Sequence, residues 1–425
     1  MPVGGKPDAL LHVLVALAAV LVLGRSLGLL FRYVGQPPVI GEVVGGILLG
    51  PSFLTQVWPE AASFILPPAV APYLGVMAQL GVIFYMFLVG LELDLGVLRK
   101  RAQATLVISH ASIVVPFLMG TALAWLLYPE FAGGDVSFTS FALFVGIALS
   151  ITAFPVLARI LTDRRIQKTP LGILALGCAA MGDVTAWCLL AFVVAVAQAR
   201  VGTAFFVLGL TAAYIAFMFW FVRPAITGLL VRLDPVQITP GVVAMVFALL
   251  LLSALATEAI GIHAIFGAFL LGAIIPHDHA VALGLTQKLE DLVTVLLLPA
   301  FFAFTGMRTQ IGLVSGLEQW LLCGLIIIVA TAGKFSGTLV AARISGLSWS
   351  DSTGLGVLMN TRGLMELIVL NIGLDLKVLS PALFAMMVLM AMATTMMAGP
   401  TLQLLRLWPP SSADVGQGKQ QGGAD

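Results

Sequence analysis

The chain has 425 residues, of which 60% are hydrophobic and only 10% are charged, and its mean hydropathy is +1.08. Soluble domains contain about one quarter charged residues, so this composition excludes one. The net charge of +1 gives no indication of nucleic acid binding. The apolar runs are continuous, which excludes an outer-membrane barrel, because barrel strands alternate apolar and polar residues. The sequence therefore predicts an all-α integral membrane protein.

Apolar runs of about 20 residues, the length that a helix needs to cross a bilayer, recur along the whole chain. We predict about thirteen transmembrane helices, at residues 8–33, 38–54, 70–90, 104–127, 137–161, 170–199, 202–230, 240–258, 261–276, 286–305, 317–345, 351–373 and 380–407. The segment that follows, 408–425, is polar and rich in glycine, so we expect a disordered cytoplasmic tail.

The Lys and Arg residues near the helix ends fall mainly on one side of the membrane. If the amino terminus lies outside, the inner side has fourteen of these basic residues and the outer side only four. Loops rich in Lys and Arg stay in the cytoplasm. The sequence therefore predicts a multi-pass protein of the cell membrane with its amino terminus outside and its carboxy terminus in the cytoplasm.

Two short glycine-containing motifs each occur twice. Gly-Gly-Ile-Leu-Leu-Gly at 45–50 is echoed by Gly-Ala-Phe-Leu-Leu-Gly at 267–272, and the segment 90–96 is echoed by 306–312. Both pairs are seven predicted helices apart. Because this offset is odd, the two copies would enter the membrane from opposite sides.

This pattern predicts two inverted repeats of six helices each, a plan typical of secondary transporters and not of enzymes. An inverted repeat gives a transporter two nearly equivalent conformations, one open to each side. The predicted units are repeat one at about 8–199, a linker helix at 202–230 and repeat two at about 240–407.

The fifth and twelfth predicted helices, which are equivalent in the two repeats, both contain helix breakers. Pro155 lies mid-span within 150–156, where it removes a backbone donor. Asn-Thr-Arg-Gly-Leu-Met-Glu at 360–366 places polar residues and a glycine at similar depth. A kinked but continuous helix is the alternative for the fifth helix taken alone. Two interruptions at equivalent positions favour broken helices that cross at mid-membrane, where unwound carbonyls can bind small ions.

Four charged residues fall deep inside apolar spans: Asp183, Lys334, Arg362 and Glu366. Each costs at least about 2.5 kcal/mol to insert, so each is a functional candidate. A buried carboxyl group such as Asp183 is stable as the neutral acid, or as the carboxylate when a cation binds, so H+ and a monovalent cation can compete for it. Competition for one site, combined with alternating access, is antiport. The alternative is a protonated Asp183 that only joins helices by hydrogen bonds.

The other three charges have structural and functional interpretations. Lys334 either balances Asp183 when no cation is bound or forms a purely structural ion pair, and in both cases we expect these two side chains to lie close together. Arg362 and Glu366 are four residues apart, so we expect them to pair with each other rather than to bind the ion.

Several of these stretches together resemble the monovalent cation/proton antiporter family, in the branch of plant cation/H+ exchangers and bacterial potassium-efflux antiporters. The likeness spans about residues 8–407, and its motifs are 35–52, 152–155, 183–187, 333–334 and 360–373. The resemblance implies that Asp183 binds the ion and the proton, that Lys334 is its basic partner, and that Thr152 lies at the helix crossing. It also implies a homodimer and an elevator-like motion of a core against a dimerisation scaffold. The supporting residues around this site are Gly182, Ala153, Phe154, Pro155, Asn360, Thr361, Arg362 and Glu366.

The chain departs from the family pattern in two ways. Family members commonly have Asn, Asp or Gln directly before the aspartate, whereas this sequence has Gly182. With a single carboxylate in the motif, we expect electroneutral exchange of one cation for one proton. The sequence also lacks the large cytoplasmic regulatory domain of many relatives, so we do not expect gating by a nucleotide or glutathione.

The sequence thus predicts a transporter that exchanges Na+ or K+ for H+, without a cofactor and without a metal other than the transported cation. Two alternatives of other classes stay open. One is a passive monovalent cation channel, which would need no exchange for H+ at Asp183. The other is an organic-anion symporter on a related inverted-repeat fold, which would need more polar residues near the breaks.

Overall fold

The computed structural model describes residues 9–92, 102–134, 136–163, 166–167, 169–197, 201–230, 239–276 and 279–405. The predicted tail at 408–425 and the basic residues at 99–101 lie outside this range. The α-helices, in chain order, are α1 (Ala9–Tyr33), α2 (Pro38–Leu49), α3 (Leu54–Val57), α4 (Pro59–Ile65), α5 (Ala71–Glu92), α6 (Ala102–Phe131), α7 (Phe138–Ser150), α8 (Phe154–Asp163), α9 (Pro170–Ala197), α10 (Val201–Phe217), α11 (Arg223–Leu230), α12 (Pro240–Ile260), α13 (Ala264–Ile274), α14 (Ala280–Asp291), α15 (Leu298–Arg308), α16 (Gly316–Ile344), α17 (Trp349–Met359), α18 (Leu364–Asp375) and α19 (Pro381–Leu404). Short π-helical stretches join α10 to α11 and α14 to α15.

Polar side chains and prolines mark the starts of these helices. The hydroxyls of Ser137, Ser348 and Ser380 each accept a hydrogen bond from the backbone N–H three residues further on. These N–H groups have no carbonyl partner within their helix, so the caps satisfy them. Proline lies in the first turn of α2, α12 and α19, where its missing N–H is no loss.

The prediction of an all-helical membrane protein is confirmed over the described residues, but the count of thirteen crossings is not. Ten helices in this part of the chain are long and apolar enough to cross a membrane. They match every predicted crossing except the fifth, the ninth and the twelfth. The ninth falls on α13, which has only 11 residues. The fifth and the twelfth are each divided between two short helices.

Both predicted breaks are present, and the alternative of a continuous kinked fifth helix is wrong. α7 ends at Ser150 and α8 begins at Phe154, while α17 ends at Met359 and α18 begins at Leu364. Gly363, directly before α18, has φ 157° and ψ −123°, a conformation that is available mainly to glycine. Gly363 thus permits the backbone conformation that links the two half-helices of the second break.

Close contacts at glycines join the two predicted repeats. A Cβ atom at Gly46 on α2 would overlap the backbone of Ala303 on α15, and one at Gly272 on α13 would overlap the carbonyl oxygen of Phe87 on α5. Glycine therefore permits these two helix pairs to approach closely. The predicted repeat relates α2 to α13 and α5 to α15. Each contact thus corresponds to the other when the two repeats are exchanged.

The helices pack in two groups. The glycine-motif group contains α1, α2, α5 and α12–α15, and the break group contains α6–α9 and α16–α19. α10 packs on α9 of the break group and on α12 of the glycine-motif group, and α15 contacts α18. Both broken helices therefore lie in the break group, and α18, the second half of one of them, contacts the glycine-motif group.

Candidate functional site

The two breaks lie against each other, and the first break donates hydrogen bonds to the second. The backbone N–H of Ala153 donates to the carbonyl of Thr361 at 3.1 Å, and the hydroxyl of Thr152 donates to the carbonyl of Met359 at 3.0 Å. The hydroxyl of Thr361 donates to the carbonyl of Leu358 at 2.8 Å. Met359 and Leu358 belong to the last turn of α17, whose carbonyls lack partners within the helix. Side chains from both breaks therefore complete the end of α17.

Arg362 completes the corresponding end of α7. Its guanidinium donates to the carbonyls of Ala148 at 3.1 Å and Leu149 at 2.7 Å, and it lies 3.2 Å from the carboxylate of Glu366. The carboxy-terminal end of a helix has a partial negative charge, so a cation is favourable there. Both charged side chains are fully buried. The predicted pairing of Arg362 with Glu366 is confirmed, and the arginine has the further task of capping a half-helix.

Lys334 on α16 contacts the first break and α6. Its ammonium donates to the hydroxyl of Thr152 at 2.7 Å and to the carbonyl of Ser112 at 2.9 Å, and its side chain is fully buried. The oxygens of Asp183 accept no hydrogen bond from it. Lys334 and Asp183 therefore share no hydrogen bond, although their charges lie near enough to interact, as expected for two neighbouring side chains. Two uncharged oxygens next to α16 take two of the three ammonium donors instead.

Asp183 is a buried carboxyl group without a hydrogen-bond partner in the described part of the chain. It lies on α9, its residue is 3% exposed, and neither carboxylate oxygen takes part in a hydrogen bond there. Burial of an ion that accepts no hydrogen bonds costs several kcal/mol. This side chain is therefore stable only when a proton or a cation is bound to it.

A narrow cavity adjoins Asp183 beside the first break. The other residues that line it are Ile151, Ala186, Trp187, Leu190, Met365 and Val369. Ile151 belongs to the first break, and Met365 and Val369 belong to α18, so both broken helices contribute to its wall. The free space corresponds to about one water molecule. A proton or a small ion fits such a cavity, whereas an organic anion does not.

Gly182 lies at a position that faces α6. A Cβ atom there would lie 3.5 Å from the hydroxyl of Ser109 and 4.0 Å from the side chain of Ile113. A larger side chain at this position would therefore extend from α9 against α6. The hydroxyl of Ser109 is buried and has no hydrogen-bond partner among the residues that the structure describes.

The remaining predicted residues surround the breaks. Ala153 and Phe154 are buried, and Asn360 directly follows the last residue of α17 as its C-cap. Pro155 is the second residue of α8, so it marks the start of a new half-helix, where proline is favourable, and does not interrupt an existing one.

Two contact residues escaped sequence reasoning. Ser112 provides the carbonyl that Lys334 binds, and the hydroxyl of Thr395 accepts a hydrogen bond from the backbone N–H of Arg362 at 2.9 Å. Both are polar residues inside apolar runs, which is the signal that could have identified them. That signal is weak, because many membrane helices contain Ser and Thr that bond only their own backbone.

Similarity to known proteins extends over nearly the whole chain. The family model described as "Sodium/hydrogen exchanger, transmembrane" matches residues 15–408. The chain is 42% identical over 405 residues to the Na(+)/H(+) antiporter NhaS4 of Synechocystis sp., and the match covers 95% of this chain and 98% of that protein.

Relatives from plants and yeast are longer. The chain is 39% identical to Cation/H(+) antiporter 20 of Arabidopsis thaliana and 33% identical to K(+)/H(+) antiporter 1 of Saccharomyces cerevisiae, with 92% and 90% of this chain covered. The matches span 48% and 44% of those proteins, so the chain corresponds to about half their length.

A solved structure has the same fold. The sodium proton antiporter MjNhaP1 of Methanocaldococcus jannaschii superimposes with a TM-score of 0.68, and the match covers 94% of this chain and 99% of that one. The sequence identity is 14%, so this likeness concerns the fold alone.

Proposed function

Because the chain belongs to the sodium/hydrogen exchanger family, we propose that it is a secondary transporter that exchanges a monovalent cation, Na+ or K+, for H+ across the cell membrane. The observation that carries this proposal is Asp183, a buried carboxyl group that lines a cavity beside two broken helices. Within the described chain its oxygens have no hydrogen-bond partner, so they are available to a proton or a cation.

Exclusive occupation of Asp183 couples the two fluxes. A bound proton removes the negative charge that attracts the cation. A bound cation offsets that charge and fills the small cavity, so a proton is no longer attracted to the carboxylate. An empty carboxylate accepts no hydrogen bond from the described residues and is costly to carry across the hydrocarbon. The site therefore changes sides with H+ or with a cation bound, which is antiport.

Lys334 and Arg362 hold the breaks in place beside this site. Lys334 binds Thr152 in the first break, and Arg362, which lies in the second, binds the end of α7. Two carboxy-terminal half-helix ends meet at the crossing, and these cations offset their partial negative charge. Thr152 and Lys334 thus belong to the ion site as neighbours that shape it, and Asp183 is its ligand.

The two inverted repeats, about 8–199 and 240–407 with a linker helix at 202–230, would provide the alternation. The reciprocal contacts of Gly46 with α15 and of Gly272 with α5 support this division. Exchange of the two repeats converts an arrangement open to one side into one open to the other. The distribution of Lys and Arg supports an outer amino terminus and a cytoplasmic carboxy terminus, and the family resemblance supports a homodimer.

We propose that one cation is exchanged for one proton. Gly182 has no side chain to bind a second ion, and Lys334 is occupied by two uncharged acceptors. Asp183 alone then changes its occupant, and the exchange is electroneutral. A membrane potential that arises in vesicles during exchange, detected with a potential-sensitive dye, would contradict this stoichiometry.

The names of the relatives include both Na+ and K+ as transported ions. Neither a passive channel nor an organic-anion symporter is favoured by any feature of the site, and the cavity beside Asp183 is too small for an organic anion.

The test is dissipation of a pH gradient in proteoliposomes on addition of Na+ or K+, with wild type beside Asp183→Asn. We expect at least one of the two ions to collapse the gradient with wild type and neither to do so with the variant. Glu318→Gln, which removes an exposed carboxylate from the first turn of α16, is the matched control and should keep full activity. Gradient collapse by Asp183→Asn would remove Asp183 from the mechanism.

A further inference from the structure

An arginine at the end of α15 binds two polar residues near the end of α18. The guanidinium of Arg308 donates to the amide oxygen of Asn371 at 2.7 Å and to the carboxylate of Asp375 at 2.5 Å. The guanidinium also lies 5.8 Å from the ring centre of Phe304, and the amide of Asn371 donates to the carbonyl of Leu367 at 2.7 Å. Both partners of Arg308 are thus held on one face of α18.

This contact joins the two helix groups. α15 belongs to the glycine-motif group, where it packs on α2 and α5, whereas α18 belongs to the break group. α18 begins directly after the second break and provides Met365 and Val369 to the wall of the Asp183 cavity. Arg308 therefore binds the far end of the same half-helix that closes one side of the ion site.

A second contact between the groups borders the same cavity. The ring of Trp187, which lines the cavity, lies 6.1 Å from the ring of His263, which precedes α13 in the glycine-motif group. On α18, Asn371 follows the cavity residues Met365 and Val369 towards the carboxy-terminal end. By the predicted topology, this end of α18, Arg308 and His263 all lie on the outer side of the membrane.

We infer that Arg308, Asn371 and Asp375 form a clamp that holds α18 against the glycine-motif group and so controls access to Asp183 from the side on which Arg308 lies. This inference rests on the proposed function, because it concerns entry to that same site. A position of α18 away from α15 would open the cavity wall, and formation of the clamp would close it.

The exposure of the clamp suits such a role. The side chains of Arg308 and Asp375 are 27% and 62% exposed, and ion pairs of this kind contribute little to stability. A strong buried pair would lock one conformation, whereas a weak one shifts an equilibrium by a modest factor in each cycle. Arg308, Asn371 and Asp375 therefore act as positioning residues, which touch neither the cation nor the proton.

The test is the accessibility of the cavity wall, measured without transport. Val369→Cys is placed in a full-length background in which Cys178, Cys188 and Cys323 are replaced by alanine, and the protein is reconstituted in vesicles of known orientation. The rate of labelling by a membrane-impermeant maleimide is measured from each side. Arg308→Gln and Asp375→Asn should each raise labelling from the side of Arg308 by about 3- to 10-fold, as for the loss of one weak ion pair and one hydrogen bond.

The matched variants separate a clamp from a general loosening. The exchanged pair Arg308→Asp with Asp375→Arg should restore labelling towards the parent rate. Lys377→Gln, which removes an exposed charge two residues after the end of α18, should not change it. Unchanged labelling in both single variants, or failure of the exchanged pair to restore it, overturns the clamp. Absence of cation-dependent H+ movement in wild type overturns the proposed function instead, since the labelling readout requires no exchange.

Discussion

The ammonium of Lys334 donates a hydrogen bond to the hydroxyl of Thr152 across 2.7 Å, and that hydroxyl donates in turn to the carbonyl of Met359. One chain of hydrogen bonds thus connects α16, the first break and the end of α17. The lysine is placed where its charge opposes the partial negative charge of a helix end. Asp183 is left without this cation as a hydrogen-bond donor.

Thr152→Val should destabilise the protein, because it removes one acceptor from a buried ammonium and leaves the carbonyl of Met359 without its donor. The expected loss is about 1–3 kcal/mol. Thr152→Ser keeps the hydroxyl and should lose much less. Thermal unfolding in detergent measures the difference, and equal midpoints for the valine and serine variants would contradict the role of this hydroxyl.

Asp183→Asn should leave the fold intact and remove stabilisation by the transported cation. The carboxylate has no hydrogen-bond partner in the described residues, so its replacement breaks no internal bond. A cation that binds only the folded protein adds about 2.7 kcal/mol at a concentration one hundred times its dissociation constant. The unfolding temperature of wild type should rise with Na+ or K+, and that of the variant should not. An equal rise in both proteins would place the cation elsewhere.

Exchange should depend on pH as expected for competition at one carboxyl group. As pH falls, protons occupy Asp183 in a growing fraction of molecules, so the apparent KM for the cation rises. In the acidic limit it rises by about tenfold per pH unit, as for one competing proton, and at high pH it reaches a constant value. Initial rates in proteoliposomes, measured over a range of pH with equal pH on both sides, check this. An apparent KM that is independent of pH would exclude competition.

Arg362→Gln should be more harmful than Glu366→Gln. Loss of the arginine leaves the buried carboxylate of Glu366 without its counter-charge and the carbonyls of Ala148 and Leu149 without their donors. Breaking a buried pair in this way costs about 3–5 kcal/mol. Loss of the glutamate leaves Arg362 still bound to both carbonyls. The unfolding temperatures of the two variants give the order, and the reverse order would contradict the capping role.

Gly46→Ala should separate α2 from α15, because the new Cβ would overlap the backbone of Ala303. Gly324→Ala is the matched control, since a Cβ there meets no other atom within 4 Å. Alanine in a helix interior is favoured over glycine by about 1 kcal/mol, so the control should be neutral or stabilising. Unfolding midpoints in detergent compare the two. A stabilising Gly46→Ala would disprove the close approach.

Much of the fold follows from elementary patterning of the sequence. The length of each apolar run predicts most of the crossings, and the breakers around Pro155 and at 360–363 predict both interruptions. The count of crossings could not be settled in this way, because α13 and the four half-helices are shorter than a membrane-spanning helix. Short apolar segments are stable in hydrocarbon only when neighbouring helices cover their ends, and that is a property of packing.

The sequence by itself determined that this is a helical membrane protein with two broken helices and four deeply buried charges, because hydrophobic length and the cost of burying a charge act on each segment separately. Only the tertiary structure decided which groups meet. Lys334 binds Thr152 and Ser112, Arg362 caps α7, and Asp183 is left to the cavity. Pairing depends on which helices lie side by side and in what rotation, and spacing along one chain does not contain that information.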